Sequence, residues 1–482
     1  MPSLSRHRPW TLPPQIAVPR YDLRSVTPGI VHIGLGGFHR SHFARYTHDV
    51  MDIDPSATAW GIVGAGLRES DAPLLQALKS QDGLYTLVEC DAGGETQTVI
   101  GSIVDAIDAS ASTAALLDAI VRPQTRIVSI TVTEAGYHLD PATKMLDLKG
   151  PAIRHDIANP RAPRTTPGIL VEAFRQRREA GRKAFTALTC DNIQHNGRVL
   201  RGVVLALAEL IDPALATWIA DHARFPSSMV DRITPVPTRA EIEAFRERTG
   251  IDDKATVFSE SFRQWIIEDD FADGRPDWSK AGAQFVKDVA PYEAMKLRLL
   301  NGSHLLIAGL GALCGYETVA QTMHDPAIRR AMQRLMDEET GPLLAPVPGV
   351  DLTQYRATLI ARFANPAIRD TVRRINTDAP VNLLADPLRD ALAAGTAIEL
   401  LTLGVAAWCR RTADEVRGGH AIVGANANAN AELQMRGADA TAILSITSVF
   451  GDLGQNTRVE DAVRRWLGLF DSIGVAGALQ KI

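Results

Sequence analysis

The chain has 482 residues, enough at roughly 100 to 200 residues per domain for about two to four domains. It is 45% hydrophobic and 22% charged, a balance that buries a large core and excludes a mostly disordered protein. The 51 Lys and Arg against 56 Asp and Glu leave a net charge of −5, and no cationic cluster supplies the footprint that binding nucleic acid requires.

Residues 1–28 are rich in Pro and Arg and lack the apolar run of a signal peptide. The most apolar helical stretch, residues 305–314, is too short and too glycine-interrupted to span a bilayer. Cys90, Cys190, Cys314 and Cys409 lie far apart with no CxxC pair, which excludes a disulfide scaffold or local zinc finger and suits a reducing cytosol. The expectation is a cytoplasmic protein, a monomer or small homo-oligomer, with neither membrane nor nucleic acid as partner.

Residues 29–33 read as a buried strand running into Gly34, Gly36 and Gly37, with a helical stretch following through Tyr46 to Met51. Residues 59–63 form a second strand. Residues 85–90 and 98–104 read as two more joined by a turn at Gly93-Gly94, and 126–132 and 184–188 as later buried runs. Strands alternating with helices imply a mainly parallel sheet with helices on both faces. From about residue 290 the pattern turns helical, at 295–313, 328–336, 355–363, 387–392, 398–409 and 459–469. A boundary between Gly282 and Pro291 therefore separates an α/β domain from an all-α one. The biased stretch 424–430, alternating Ala with Gly or Asn, reads as a surface turn.

Gly34-Leu35-Gly36-Gly37-Phe38-His39 follows a strand and opens a helix, where a dinucleotide fingerprint belongs. Gly34 would permit the tight turn, and Gly36 the approach of a pyrophosphate to the helix N-terminus. His39 stands where the third glycine is usual, and a plain strand-to-helix turn has the same look. At the end of the second strand, Glu69, with Asp71 behind it, is placed to accept hydrogen bonds from the adenosine ribose and to repel the extra phosphate of NADP. Arg68 beside it would attract that phosphate, so NAD is favoured and NADP stays open.

The stretch from Tyr292 to His304 carries Glu293, Lys296, Asn301 and His304 on a helix otherwise rich in Met and Leu. At about 100° per residue, Lys296, Asn301 and His304 fall within an arc of roughly 140°. A solvated helix face with a lysine and a capping asparagine gives the same pattern. The chemical reading is oxidation of an alcohol by NAD, which needs a base for the hydroxyl proton. A desolvated lysine is poised for that task, Asn301 would steady the developing alkoxide or carbonyl oxygen, His304 would orient substrate hydroxyls, and Glu293 would pass the proton to solvent. Tyr292 and Lys296 also have the Tyr-x3-Lys spacing of short-chain dehydrogenases, whose length and glycine turn this chain does not share. His39, His42 and His195 do not compose a ligand set, so no metal is expected. Neither a P-loop nor a serine nucleophile elbow is present.

Ile33-Gly-Leu-Gly-Gly-Phe-His-Arg-Ser-His42, Asp191-Asn192, Met229-Val-Asp231-Arg-Ile-Thr-Pro235 and Lys296-x4-Asn301-x2-His304 together resemble the mannitol dehydrogenase family of polyol-specific long-chain dehydrogenases. The resemblance runs over nearly the whole chain. It implies a Rossmann-type domain over residues 1–286 and an α-helical substrate-binding and catalytic domain over 287–482. It also implies a metal-free, NAD-dependent secondary-alcohol dehydrogenase interconverting a hexitol or pentitol with its ketose. By position, Lys296 would be the base, Asn192 and Asn301 the carbonyl-polarising amides, and Asp231 and His304 substrate contacts. Gly34, Gly36, Gly37, Phe38, Glu69 and Glu134 would lie on the cofactor side. Read without the family, Asp231 is also a surface aspartate beside Arg232, and Asn192 a turn former.

One stretch departs from the family. Where members carry Arg-Ile-x-x-Asp-Gly-Ser-x-Lys, a sugar-binding segment, this chain has Arg374-Ile-Asn-Thr-Asp378-Ala-Pro380-Val-Asn382. Arg374 remains as a substrate contact, the lysine is Asn382, and Pro380 constrains the backbone. The lost cation ranks a hexuronate reductase, in which Arg374 pairs with a carboxylate, behind a polyol dehydrogenase. A non-catalytic NAD-binding sensor is the rival from another class, and it has no need of Lys296.

Overall fold

A computed structural model describes residues 4–7, 12–140, 143–420, 422, 430–437 and 439–482, so the repetitive stretch 424–429 lies outside the described residues. The chain divides into two compact units, Met1–Ala290 and Pro291–Ile482.

In the first unit the apolar runs become five strands: β1 (Pro28–Ile33), β2 (Gly61–Gly66), β3 (Ile103–Asp108), β4 (Ile127–Ile130) and β5 (Thr186–Thr189). They pair in parallel in the order β3-β2-β1-β4-β5. All residues of β2, β4 and β5 are buried, as expected for parallel strands covered on both faces. The chain winds outward from β1 to β3 and resumes on the other side of β1 at β4. That reversal is the switch point of a Rossmann-type sheet, where ligands bind at the carboxyl ends of the strands.

The strand expected over residues 98–104 is in fact two. Gly94–Ile100 closes an antiparallel hairpin with Tyr85–Asp91, and β3 starts afresh at Ile103. The break is held from outside, because the Arg6 guanidinium donates to Gly101 O and Ile103 O, each at 2.6 Å. The hairpin belongs to a four-stranded sheet with Ile16–Ala17 and Val257–Glu260, and Ser228–Asp231, Gln264–Glu268 and Gln284–Val286 form a third.

The turn after β1 requires glycine at Gly34, which lies at φ +96°, where a Cβ would sit 1.9 Å from Thr131 O. His39, in the third-glycine position, lays its ring on His32 at a centroid distance of 3.4 Å, so two flat rings make the close helix–strand approach. His32 meets Ser129 Oγ at 2.9 Å and Thr131 Oγ1 at 3.0 Å. Both ring nitrogens of His39 are buried without a hydrogen-bond partner.

The second unit is helical, with Gly302–Leu313, Glu399–Arg417 and Thr457–Leu479 as its long central members. Pro387 lies inside the helix Asn382–Ala394. Among the described residues no helix is long and apolar enough to cross a membrane.

Two predictions concern the first unit. Arg177, on the helix Thr166–Glu179, is 2% exposed and donates to the carbonyls of Ile120, Arg122, Thr125 and Lys183, gripping the negative end of the helix Ala114–Val121. Arg177→Met leaves these acceptors dry and should cost about 3 kcal/mol, read as a lower denaturation midpoint. The second concerns acid. Burial pushes His32 and His42 down to about 3 and His39 well below its ordinary value, with His32, Arg40 and His42 adding repulsion at His39. The neutral forms are the folded ones. Their contribution is therefore complete above the unfolded pKa of about 6.5 and is lost as pH falls toward 3, on the order of 1 kcal/mol per pH unit for each ring. His39→Phe should raise the melting temperature more at pH 5 than at pH 8, and an equal rise at both would show that His39 protonation does not limit stability.

Candidate active site

The carboxyl ends of β4 and β5 are tied together by Asp191, which is 7% exposed. Its carboxylate accepts from Val132 N at 3.1 Å, Thr133 N at 2.8 Å and the Tyr137 hydroxyl at 2.9 Å. Burial nevertheless pushes the Asp191 carboxyl above its ordinary range. Thr133 stands at φ +61°, ψ 172°, a conformation that a β-branched residue rarely adopts, and its N–H is one of the groups Asp191 holds. Asn196 completes the arrangement: Nδ2 donates to Asp191 O at 2.9 Å and Ser228 O at 2.8 Å, while Oδ1 accepts from Ser228 N at 3.0 Å. The loop bearing Glu134, the turn bearing Asn192 and the strand ending at Asp231 are thereby one connected assembly. Neither Asp191 nor Asn196 was a sequence candidate. The signal available was a polar Asp-Asn-x3-Asn run directly after a strand.

Asn192 is exposed on this turn, and Glu134 is exposed with its carboxylate 3.4 Å from Lys144 Nζ. Asp231 is buried, not a solvent-facing aspartate. The Arg232 guanidinium is directed to Glu89 and to the carbonyls of Ser41 and Glu260.

On the cofactor side, Gly36 caps the helix Gly37–Ser41. A Cβ there would meet only Gly34 O, at 3.8 Å, and at Gly37 the nearest atom is Thr234 Cγ2 at 3.6 Å. No protein atom thus requires glycine at position 36, and the room its missing side chain leaves suits a pyrophosphate. Phe38 stacks on His42 at 4.9 Å. Glu69 is exposed at the end of β2. Arg68 is engaged by Asp71, Nη2 to Oδ1 at 2.9 Å and backbone N to Oδ2 at 3.2 Å.

In the second unit the helix expected over residues 295–313 is not uniform. Ala290–Met295 is followed by a π turn, Lys296–Asn301, and then by Gly302–Leu313. Hydrogen bonding from i to i+5 widens the turn, so the uniform 100° spacing fails between Lys296 and Asn301, and the two lie closer in angle than an α-helix allows. Lys296 is 8% exposed and Glu293 5%. Asn301 Oδ1 is buried without a hydrogen-bond partner. The Tyr292 hydroxyl donates to Pro348 O at 2.8 Å, a structural tie and not the posture of a base. His304 stacks on Phe363 at 4.6 Å and holds Nε2 3.6 Å from Asp370 Oδ2. Arg374 forms a bidentate pair with Asp370 and reaches Asp378. Asn382 is exposed at the start of its helix. Among the described residues no group of three or more His, Cys, Asp or Glu is assembled to hold a metal ion.

The mannitol dehydrogenase Rossmann domain matches residues 28–280, and the mannitol dehydrogenase C-terminal domain residues 288–468. A D-mannonate oxidoreductase from Escherichia coli is 44% identical over 93% of this chain and 94% of its own length. A mannitol 2-dehydrogenase from Cereibacter sphaeroides is 41% identical over 91% of this chain and 92% of its own. Among solved structures, the Pseudomonas fluorescens mannitol 2-dehydrogenase in ternary complex with NAD and D-mannitol superposes with a TM-score of 0.89. It is 40% identical, over 98% of this chain and 97% of that one. A substrate-free D-sorbitol dehydrogenase gives 0.86 at 34% identity, over 97% and 98%. The chain belongs to the mannitol dehydrogenase family of oxidoreductases.

Proposed function

We propose that this protein is an NAD-dependent, metal-independent dehydrogenase that interconverts a hexitol or pentitol with its ketose, with Lys296 as general base. The observation that carries the reading is the π turn, which sets a buried Lys296 close in angle to Asn301, whose amide oxygen has no protein partner. A buried amine at the substrate hydroxyl takes its proton as the C–H bond gives up hydride, and Asn301 and Asn192 steady the oxygen as it becomes a carbonyl. Glu293, three residues before Lys296, hands the proton outward. His304, Asp231 and Arg374 read the remaining hydroxyls. Bound NAD supplies the hydride acceptor. The open side of Gly36 would take the pyrophosphate, Gly34, Gly37, Phe38 and Glu134 would lie on the cofactor side, and Glu69 would take the ribose hydroxyls. The solved relative that holds NAD and D-mannitol supports this, and Lys296 speaks against the sensor reading, since a sensor needs no base. Four cysteines spread along the chain with no CxxC pair suit the cytoplasm.

A polyol is favoured because the cation offered to a carboxylate is already neutralised: Arg374 is bound by Asp370 and Asp378, and Asn382 adds no charge. The second reading, a hexuronate or hexonate oxidoreductase, is favoured by the 44% identity to a D-mannonate oxidoreductase. NADH formation against a panel of pentitols, hexitols and aldonates decides between them. Turnover of a polyol supports the first reading, and turnover of aldonates alone moves the assignment to the second.

Two mutational predictions follow from the same geometry. Lys296→Ala should lower the rate of hydride transfer about a thousandfold while leaving NADH binding intact, and Tyr292→Phe should change it by less than about tenfold. The reverse ranking would make the tyrosine the base. Asp71→Ser releases Arg68 and should improve kcat/KM for NADP about tenfold relative to NAD. An unmoved ratio would show that Asp71 does not set the cofactor preference.

A further inference from the structure

We propose that Asp370, through its hold on Arg374 and its place beside His304, is the positioning residue that makes the site favour an uncharged polyol over a sugar acid. The proposal rests on the polyol dehydrogenase reading above.

Asp370 is 3% exposed, and its backbone is pinned where its carbonyl accepts from Val319 N at 2.9 Å. Its carboxylate takes Arg374 Nε and Nη2, each at 2.6 Å, which spends the guanidinium edge that a substrate carboxylate would otherwise share in bidentate form. Arg374 Nη1 lies 3.3 Å from Asp378 Oδ2. One guanidinium is thus set against two carboxylates, a net charge of −1 while His304 is neutral. His304 Nε2 stands 3.6 Å from the same Asp370 oxygen that receives Arg374 Nη2, with its ring braced on Phe363. A hydroxyl can still use the outer guanidinium N–H groups. A second carboxylate would compete with Asp370 for Arg374 or leave two anions facing one another across it.

A purely structural salt bridge and a charge selector differ in one respect. Loss of the first weakens every ligand alike, whereas loss of the second changes the ratio between charged and neutral ligands. D-mannonate and D-mannitol are therefore titrated calorimetrically into the full-length protein saturated with NADH. Asp370→Asn should improve D-mannonate binding about tenfold relative to D-mannitol, with the gain fading at high ionic strength. Asp378→Asn, at an exposed position that does not endanger folding, should move the ratio the same way by a smaller factor. Arg374→Ala should erase the gain when combined with Asp370→Asn. An unchanged ratio in both single variants, or an equal loss for both ligands, overturns the proposal while leaving the polyol reading in place. A wild-type protein that binds NADH and neither ligand overturns the proposal, and one that fails to bind NADH sinks the polyol reading with it.

Discussion

Asp191 is a carboxylate shut away from water just past the end of a parallel strand, and the loop leaving the neighbouring strand is arranged to satisfy it. A buried anion needs donors, and these come from the backbone of the neighbouring strand's exit loop and from the Tyr137 hydroxyl. The same contact holds Thr133 in a left-handed conformation worth on the order of 1–3 kcal/mol of strain, which persists only where the surroundings over-determine it. Asn196 extends the connection to the strand bearing Asp231. The consequence for function is rigidity. Residues from three separate segments are presented on a frame whose bonds are internal, so little remains to be ordered when ligands arrive.

The second unit reaches a similar end by helix geometry. Its π turn places a lysine and an asparagine on one side of a helix, and the buried Asp370, paired with a half-exposed Arg374, flanks the histidine one turn further on. Both devices put polar groups in a largely apolar setting, where electrostatic interactions are strong and unfilled hydrogen-bonding capacity stands out. Asn301 Oδ1 is such an unfilled group. Polar groups of this kind concentrate where a ligand completes the set.

Four strands of the five-stranded sheet were legible because parallel strands buried on both faces leave near-continuous apolar runs, as at Ile30 to Ile33 and Ile127 to Ile130, interrupted only by His32 and Ser129. The helical second half was legible from its period. What escaped depends on partners remote in sequence. The split between Gly94–Ile100 and β3 is imposed by Arg6, nearly a hundred residues away. The π turn has no compositional signature, since one extra residue per turn leaves Leu and Met at helical positions. Asp191, Asn196 and Asp370 read in sequence as ordinary loop polars, and only burial shows that their hydrogen bonds are obligatory. His39 in place of a third glycine looked like a defect of the fingerprint, yet its stack on His32 supplies the close packing by another route.

The central claim is that a single buried amine removes the alcohol proton. It is tested most directly by single-turnover NADH formation with the Lys296→Ala protein, with and without added primary amines of differing basicity. The account predicts a rate that rises in proportion to amine concentration and increases with amine basicity, while NADH affinity stays that of the unaltered protein. A variant that keeps near-normal single-turnover rates without amine, or one that amines leave silent while it binds both ligands normally, would contradict it.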